Sequence, residues 1–326
     1  MEKLPRIAFG TWAWGNDGTF GPALDEEALR PVFDAAMQEG TVLWDTAYVY
    51  GMGESEKLLG RFLRHVPRDA YMISDKFTPQ CANADAENPV SEMFEISAHL
   101  LGSEQMDYYW IHNPLDAPRW VKKIIPLAKA GKIGKIGLSN HSLAQIHEAQ
   151  QILAEAGLAV GAVQNHFSLL NRSSAQSGIL NYCHSQGIPF FSYMVLEQGA
   201  LSGKFDEAHP FPAGSERARV YDPMLKRLTT LNAGLRELAD RHQCSIAQLA
   251  IAWAIAKGTV PIIGVTKRDQ VTDAIAAAYR TVIADLYAGC GTFGVAMARA
   301  GADVIAVESA ASSVRDLRRN ADENDV

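Results

Sequence analysis

Cysteine is scarce in this 326-residue chain. Its four copies, Cys81, Cys183, Cys244 and Cys290, are scattered and form neither a CxxC pair nor a Cys/His ligand spacing. That excludes a disulfide framework and a structural zinc site, and makes a reducing cytoplasm the default expectation. There is no apolar run of about 18 residues, so no membrane-spanning helix is expected. The opening MEKLPRIAFG lacks the cationic start and apolar core of a secretory signal. Positive charge is in deficit: 30 Lys and Arg stand against 37 Asp and Glu, a net charge of -7. This favours solubility and argues against general nucleic-acid binding.

What is abundant is alternation. Apolar runs read as strands in RIAFGTW, TVLWDTA, YMISDKF, DYYWIHN, KIGLSN, AVQNHFS, PFFSYMV and VPIIGVT. Between them lie segments with helical spacing, such as EEALRPVFDAAMQEG, SEMFEISAHLLGSEQ, LAQIHEAQQILAEAG and IAQLAIAWAIAKG. Near-continuously apolar strands separated by helices indicate a parallel sheet covered by helices. Eight such pairs in roughly 280 residues fit an α/β fold of the (β/α)8 TIM-barrel type. Gly40, Gly157, Gly187 and Gly258 are placed to stop helices before the next strand. The main irregular stretch, FDEAHPFPAGSERARVYDP, follows the seventh strand.

Active sites of parallel barrels sit at the C-terminal ends of the strands. Those ends carry Asp45, Lys76, His112, Ser139, Asn140, Gln164, Asn165 and Tyr193, with Tyr50 just beyond the second strand. A phenol with a pKa near 10 is a poor acid at neutrality, and a nearby ammonium would lower that pKa. Lys76 is therefore expected to activate Tyr50, Asp45 to hold Lys76 charged, and a neutral His112 to orient a substrate oxygen. Taken singly, the Asp reads as a helix cap, the His as structural and the Tyr as packing. Four such groups on consecutive strand ends point instead to proton transfer to a carbonyl oxygen.

Residues 1–280 resemble the aldo-keto reductases. The resemblance rests on FGTWAWG (9–15), WDTAYVYGMGESEKLLG (44–60), SDKF (74–77), DYYWIHNP (107–114), GKIGKIGLSN (131–140), QNHFSLLNR (164–172), SYMVLEQGALSGKF (192–205) and PIIGVTKRDQVTDA (261–274). It implies NADPH-dependent reduction of aldehydes and ketones in a (β/α)8 barrel without a metal. It assigns Asp45, Tyr50, Lys76 and His112 as the catalytic tetrad. Ser139, Asn140 and Gln164 would hold the nicotinamide carboxamide, and Tyr193 would stack on its ring. Leu196, Gly199, Leu201, Ser202 and Lys204 match the pyrophosphate-side segment. Lys267 and Arg268, opening the last barrel helix, would meet the 2′-phosphate. Gln270 and Asp273 match adenosine contacts, whereas Ala274 stands where the family often has Asn. Trp12, Trp14, Tyr48, Trp110 and Asn113 are candidates for the pocket mouth, with Trp14 and Trp110 equally open to a packing role, and Arg217 and Arg219 are candidates for a clamp on the cofactor or for a solvated loop. The carbonyl substrate and the oligomeric state are left open.

Residues 281–326 break the pattern. DLYAGCGTFGVAMARAGADVIAVE (285–308) is similar to the first nucleotide-binding motif of class I S-adenosylmethionine-dependent methyltransferases of the RNA uridine type. In that family Gly289–Gly291 would approach the methionine part and Glu308 the ribose hydroxyls. About 45 residues bury too little to fold alone. The expectation is an appended Rossmann-like βαβα fragment rather than an independent domain, and S-adenosylmethionine is not expected as a cofactor. A natural fusion, an engineered chimera of low activity, a methyltransferase remnant and a non-catalytic barrel are the competing readings.

Overall fold

The computed structural model describes residues 4–38, 40–279, 283–286, 304–307 and 311–324. They fall into two compact units, residues 1–195 with 260–272, and residues 196–259 with 273–326.

The first unit is built on a closed barrel of eight parallel strands in sequence order. They are β1 (Ala8–Gly10), β2 (Val42–Asp45), β3 (Tyr71–Phe77), β4 (Met106–Ile111), β5 (Ile133–Ser139), β6 (Val160–His166), β7 (Phe190–Tyr193) and β8 (Val260–Gly264). Its helices are α1 (Glu26–Met37), α2 (Glu54–Leu63), α3 (Pro89–Leu101), α4 (Ala117–Lys129), α5 (Leu143–Glu155), α6 (Ser173–Gln176) and α7 (Ile179–Gln186). The first strand is shorter than its apolar run suggests, because Trp12–Gly15 turns into a 3-10 helix.

Local chemistry sets the helix ends. Asp25 accepts the Ala28 amide at the start of α1, Asn88 accepts those of Val90 and Ser91 on α3, and Ser142 and Gln145 form a capping box on α5. Gly40, Gly157, Gly187 and Gly258 all adopt positive φ just past helices, as their spacing implies.

Strands buried on both faces let inward and outward residues do separate work. A dry cluster of Ala8, Leu43, Tyr108, Trp110, Ala162, Phe191 and Ile262 forms one apolar core of the unit. Parallel registers then align the strand ends: Gly10 with Asp45, Asp45 with Ser74, Lys76 with Trp110, and Ser139 with Gln164.

The second unit contains α8 (Glu216–Tyr221), α9 (Leu225–Arg241) and α10 (Ile246–Ala256). Helix α11 (Arg268–Tyr279) runs from the first unit into it. An apolar cluster of Ala200, Phe211, Ala218, Tyr221, Leu225 and Leu228 gathers the stretch after residue 196. Buried Glu197 accepts the Tyr221 hydroxyl at 2.8 Å, and Asn232 donates to the Ala200 carbonyl at 2.8 Å. Past residue 280, β9 (Ile283–Leu286) pairs in parallel with β10 (Val304–Val307) in a sheet of their own, and α12 (Ala311–Asp322) follows. A closed barrel offers no edge to such strands. Strand β9 lies against α10. Gly289–Gly291 and Glu308 lie outside the described residues. Among the described residues no helix is long and apolar enough to cross a membrane.

Candidate active site

The tetrad groups meet at the C-terminal ends of β2, β3 and β4. Lys76 on β3 is completely buried; its Nζ donates to Asp45 Oδ1 at 2.5 Å and to the Thr46 carbonyl at 2.6 Å. Asp45 is held further by the Ser74 hydroxyl at 2.6 Å and the Gln164 amide at 3.0 Å. Ser74 in turn accepts the Trp110 indole N–H at 2.7 Å. Burial opposes the Lys76 cation, but the Asp45 charge and its hydrogen bond outweigh that and push the ammonium up to about 12.

The Lys76 ammonium sits 4.9 Å from the centre of the Tyr50 ring, with the phenol oxygen within its reach. The ring as a whole is half-buried, while its hydroxyl end is enclosed. The expected lowering of the phenol pKa is reversed in sum. Burial raises it above the ordinary 10.0, and the opposing attraction of Lys76 is smaller. Tyr50 therefore holds its proton firmly in this state.

His112 presents its ring edge to Tyr50, centroids 6.2 Å apart. Burial, then the nearby Lys76 charge, lower its pKa to about 3, so the imidazole is neutral. Its Nδ1 lies 2.7 Å from Thr78 Oγ1. If the threonine hydroxyl donates there, Nε2 carries the proton and becomes the donor.

The Tyr50 main chain is fixed by close packing. A Cβ on Gly15 would meet the Tyr50 carbonyl carbon at 2.4 Å, and one on Gly51 (φ 68°) would meet the Gly15 oxygen at 1.9 Å. Only glycine fits both positions.

Around the tetrad, Asn140 adopts a left-handed backbone (φ 66°). Its amide donates to the His112 carbonyl at 2.9 Å and to Ser139 Oγ at 3.1 Å, and its oxygen accepts the Tyr193 hydroxyl at 2.5 Å. Tyr193 stacks on His166 with centroids 5.5 Å apart. Lys267 and Arg268 are exposed and have no ion-pair partner among the described residues. Gln270 uses its Oε1 to accept the amides of Thr266, at 2.7 Å, and Lys267, at 3.1 Å. That side chain thus caps the start of α11, and the two amides are engaged.

In the second unit, Ser202 Oγ donates to the Gly199 carbonyl at 2.6 Å and accepts the Lys204 amide at 3.3 Å. Leu201 is buried, and Leu196 precedes a turn in which Glu197 and Gln198 have positive φ. Asp273 accepts from Gln248 at 3.2 Å. Arg219 pairs with Glu216, and Arg217 lies over Phe205 at 5.9 Å.

The pocket-mouth candidates divide. Trp12 stacks on Tyr50 at 5.9 Å and donates to Asp17 at 2.7 Å, while Asn113 donates to Gln80 at 2.7 Å. Trp14 and Trp110 are wholly buried, which favours the packing role over the mouth for both. Trp14 donates to the Val265 carbonyl at 2.8 Å and packs on Trp44 and Phe62. Sequence reading missed Ser74, Thr46 and Thr78. Ser74 was findable, because it stands two residues before Lys76 on one strand and so shares its face.

The model of the aldo/keto reductase family matches residues 6–286. The chain belongs to that family. A chloroplastic pyridoxal reductase of Arabidopsis thaliana is 29% identical over 287 residues, covering 83% of this chain and 78% of that protein. An aldo-keto reductase of Schizosaccharomyces pombe named with NADP(+) is 28% identical over 287 residues, covering 82% and 81%. Among solved structures, a glycerol dehydrogenase of Gluconobacter oxydans superposes with a TM-score of 0.74 at 21% identity, covering 99% of this chain and 94% of that one. The chain has its Asp45, Lys76 and Gln164 side chains at the C-terminal ends of barrel strands, the end at which parallel barrels carry their sites.

Proposed function

We propose that this reductase is an NADP-dependent oxidoreductase that converts aldehydes or ketones to alcohols, with Tyr50 as general acid. The observation that carries the reading is the buried Lys76 ammonium, fixed by Asp45 and directed at the Tyr50 phenol beside a neutral His112.

The residues present fit the cofactor. Ser139, Asn140 and Gln164 offer the hydroxyl and amide groups that recognise a carboxamide, and Tyr193 offers an aromatic face. The unpaired cations Lys267 and Arg268 suit the 2′-phosphate. Gln270 supports that end through its cap, and Leu196, Gly199, Leu201, Ser202, Lys204 and Asp273 keep the roles that the family resemblance gives them. When bound, NADPH supplies the hydride.

This chain's residues supply the proton and the geometry. His112 Nε2–H and the Tyr50 hydroxyl fix the carbonyl oxygen and polarise it. As negative charge develops on that oxygen, Tyr50 gives up its proton, and the Lys76 ammonium stabilises the phenolate left behind. The ammonium is worth most at that moment, because the site is shielded from water. The same groups run the alcohol oxidation in reverse, with the phenolate as base.

The test follows NADPH absorbance with a reactive aldehyde. Tyr50→Phe is expected to lower kcat by about 10²–10⁴-fold, with cofactor binding by fluorescence retained. Equal turnover by the two proteins would remove Tyr50 from its role.

For residues 281–326 the reading remains an appended fragment beyond a barrel ending near residue 280, the stretch between β9 and β10 lying outside the described residues. The parallel pairing of β9 with β10 supports it. No S-adenosylmethionine chemistry is proposed for it, and the intact tetrad argues against a non-catalytic barrel. A cytoplasmic setting and a small carbonyl substrate complete the proposal.

A further inference from the structure

Strand β3 carries a second buried carboxyl that the reductase mechanism does not use. Lys76 and Ser74 share one face of the strand; Asp75, between them, points the other way. There it faces Glu56 of α2. Both residues are wholly inaccessible to solvent. No described donor hydrogen-bonds to any of their four carboxyl oxygens. The Lys76 backbone amide and the Ser97 hydroxyl of α3 lie beside them but outside hydrogen-bond geometry, and the buried Tyr109 hydroxyl of β4 also lacks a partner.

Two ionised carboxylates side by side in a dry interior repel strongly and leave every lone pair unsatisfied. One proton between them removes the repulsion and supplies the missing donor. We propose that Glu56 and Asp75 share a single proton and act as a positioning pair, keeping one negative charge behind Lys76 on the helix side of β3. The ionisable groups facing this charge are Lys76 on β3, Tyr109 on β4 and, more remotely, Tyr50. The charge attracts the Lys76 cation from the side opposite Asp45. It also opposes ionisation of the Tyr50 phenol, so the acid keeps its proton until the carbonyl oxygen demands it.

Burial, then the mutual repulsion, hold Glu56 well above the ordinary carboxyl range. Asp75 is raised to about 6, burial again leading. This agrees with one retained proton near neutrality.

The role assigned to Tyr50 comes from the proposed reductase activity, but the shared proton does not depend on it, and the two are tested separately. Infrared spectroscopy of the whole protein at neutral pH is expected to show a protonated-carboxyl C=O band that is lost in Glu56→Gln and in Asp75→Asn. Absence of the band, or its survival in both variants, overturns the shared proton. The positioning role is read from the alkaline limb of kcat/KM. Each single variant keeps one charge and the wild-type limb, whereas Glu56→Gln/Asp75→Asn loses the charge and shifts the limb to lower pH. A limb unmoved in the double variant overturns the positioning role, since a purely structural pair would alter stability alone. Should that double variant fail to fold, Glu56→Met/Asp75→Leu, which removes the charge and leaves no unpaired polar group in the same space, gives the same reading: a limb shifted to lower pH supports the role and an unmoved one overturns it.

Discussion

Thr78 Oγ1 stands 2.7 Å from His112 Nδ1, and the direction of that hydrogen bond sets which imidazole nitrogen carries the proton. A donating threonine hydroxyl places the proton on Nε2, the arrangement that hydrogen-bonds a carbonyl oxygen. Thr78→Val keeps the shape and removes the donor. We expect kcat/KM to fall roughly five-fold, the kinetic equivalent of about 1 kcal/mol, while cofactor affinity is unchanged. An unaltered kcat/KM would show that the tautomer is set elsewhere.

Lys76 and Asp45 form an ion pair with almost no solvent access. Removing one partner strands the other as a buried charge. Lys76→Met is expected to cost about 3–5 kcal/mol in urea denaturation, as well as activity. A loss below about 1 kcal/mol, the scale of an exposed pair, would show that water reaches Asp45.

Acid stability should carry the signature of His112. Its folded pKa is depressed from 6.5 to about 3, by burial and then by Lys76. Below pH 6.5 the unfolded chain binds a proton that the native chain refuses. The stabilisation is present above that value and is lost as pH falls toward 3. The Glu56–Asp75 pair has the opposite sign. For Asp75, native stability is present below 3.8 and is lost as pH rises to about 6. His112→Gln should therefore flatten the acid-side fall in the urea midpoint, and Glu56→Gln should flatten the loss on raising pH. Unchanged slopes would contradict the burial of these groups.

Lys267 and Arg268 predict cofactor choice. Losing one charge-assisted contact of about 1.5–3 kcal/mol should raise KM for NADPH roughly ten- to hundred-fold in Lys267→Ala or Arg268→Ala. KM for NADH, which lacks the 2′-phosphate, should hardly move. Equal effects on both cofactors would place these cations away from that phosphate.

The barrel was legible in the sequence because its period is simple: apolar strands, helical spacing and glycines past the helix ends. That Asp45, Tyr50, Lys76 and His112 come together was legible because each stands at or just beyond a strand end. What was hidden depends on the third dimension. Trp14 and Trp110 read equally as rim or packing aromatics in a linear motif, and only the structure shows their indole N–H groups finding the Val265 carbonyl and the Ser74 hydroxyl inside the protein. The sign of the Tyr50 shift was hidden for a similar reason. Proximity to Lys76 can be inferred from a motif, whereas the loss of solvent that outweighs it depends on everything packed around the phenol. The role of Gln270 in capping α11 likewise needs the loop before the helix to fold back on it.

Residues 15 and 51 meet main chain to main chain beside Tyr50, with no layer of side chains there to repack. The main chain of Tyr50 is thus set by this contact and not by Trp12, which stacks on the ring. Mutant libraries seeking new carbonyl substrates can randomise Trp12 while leaving both glycines fixed, and the main chain that carries the proposed acid should survive the search.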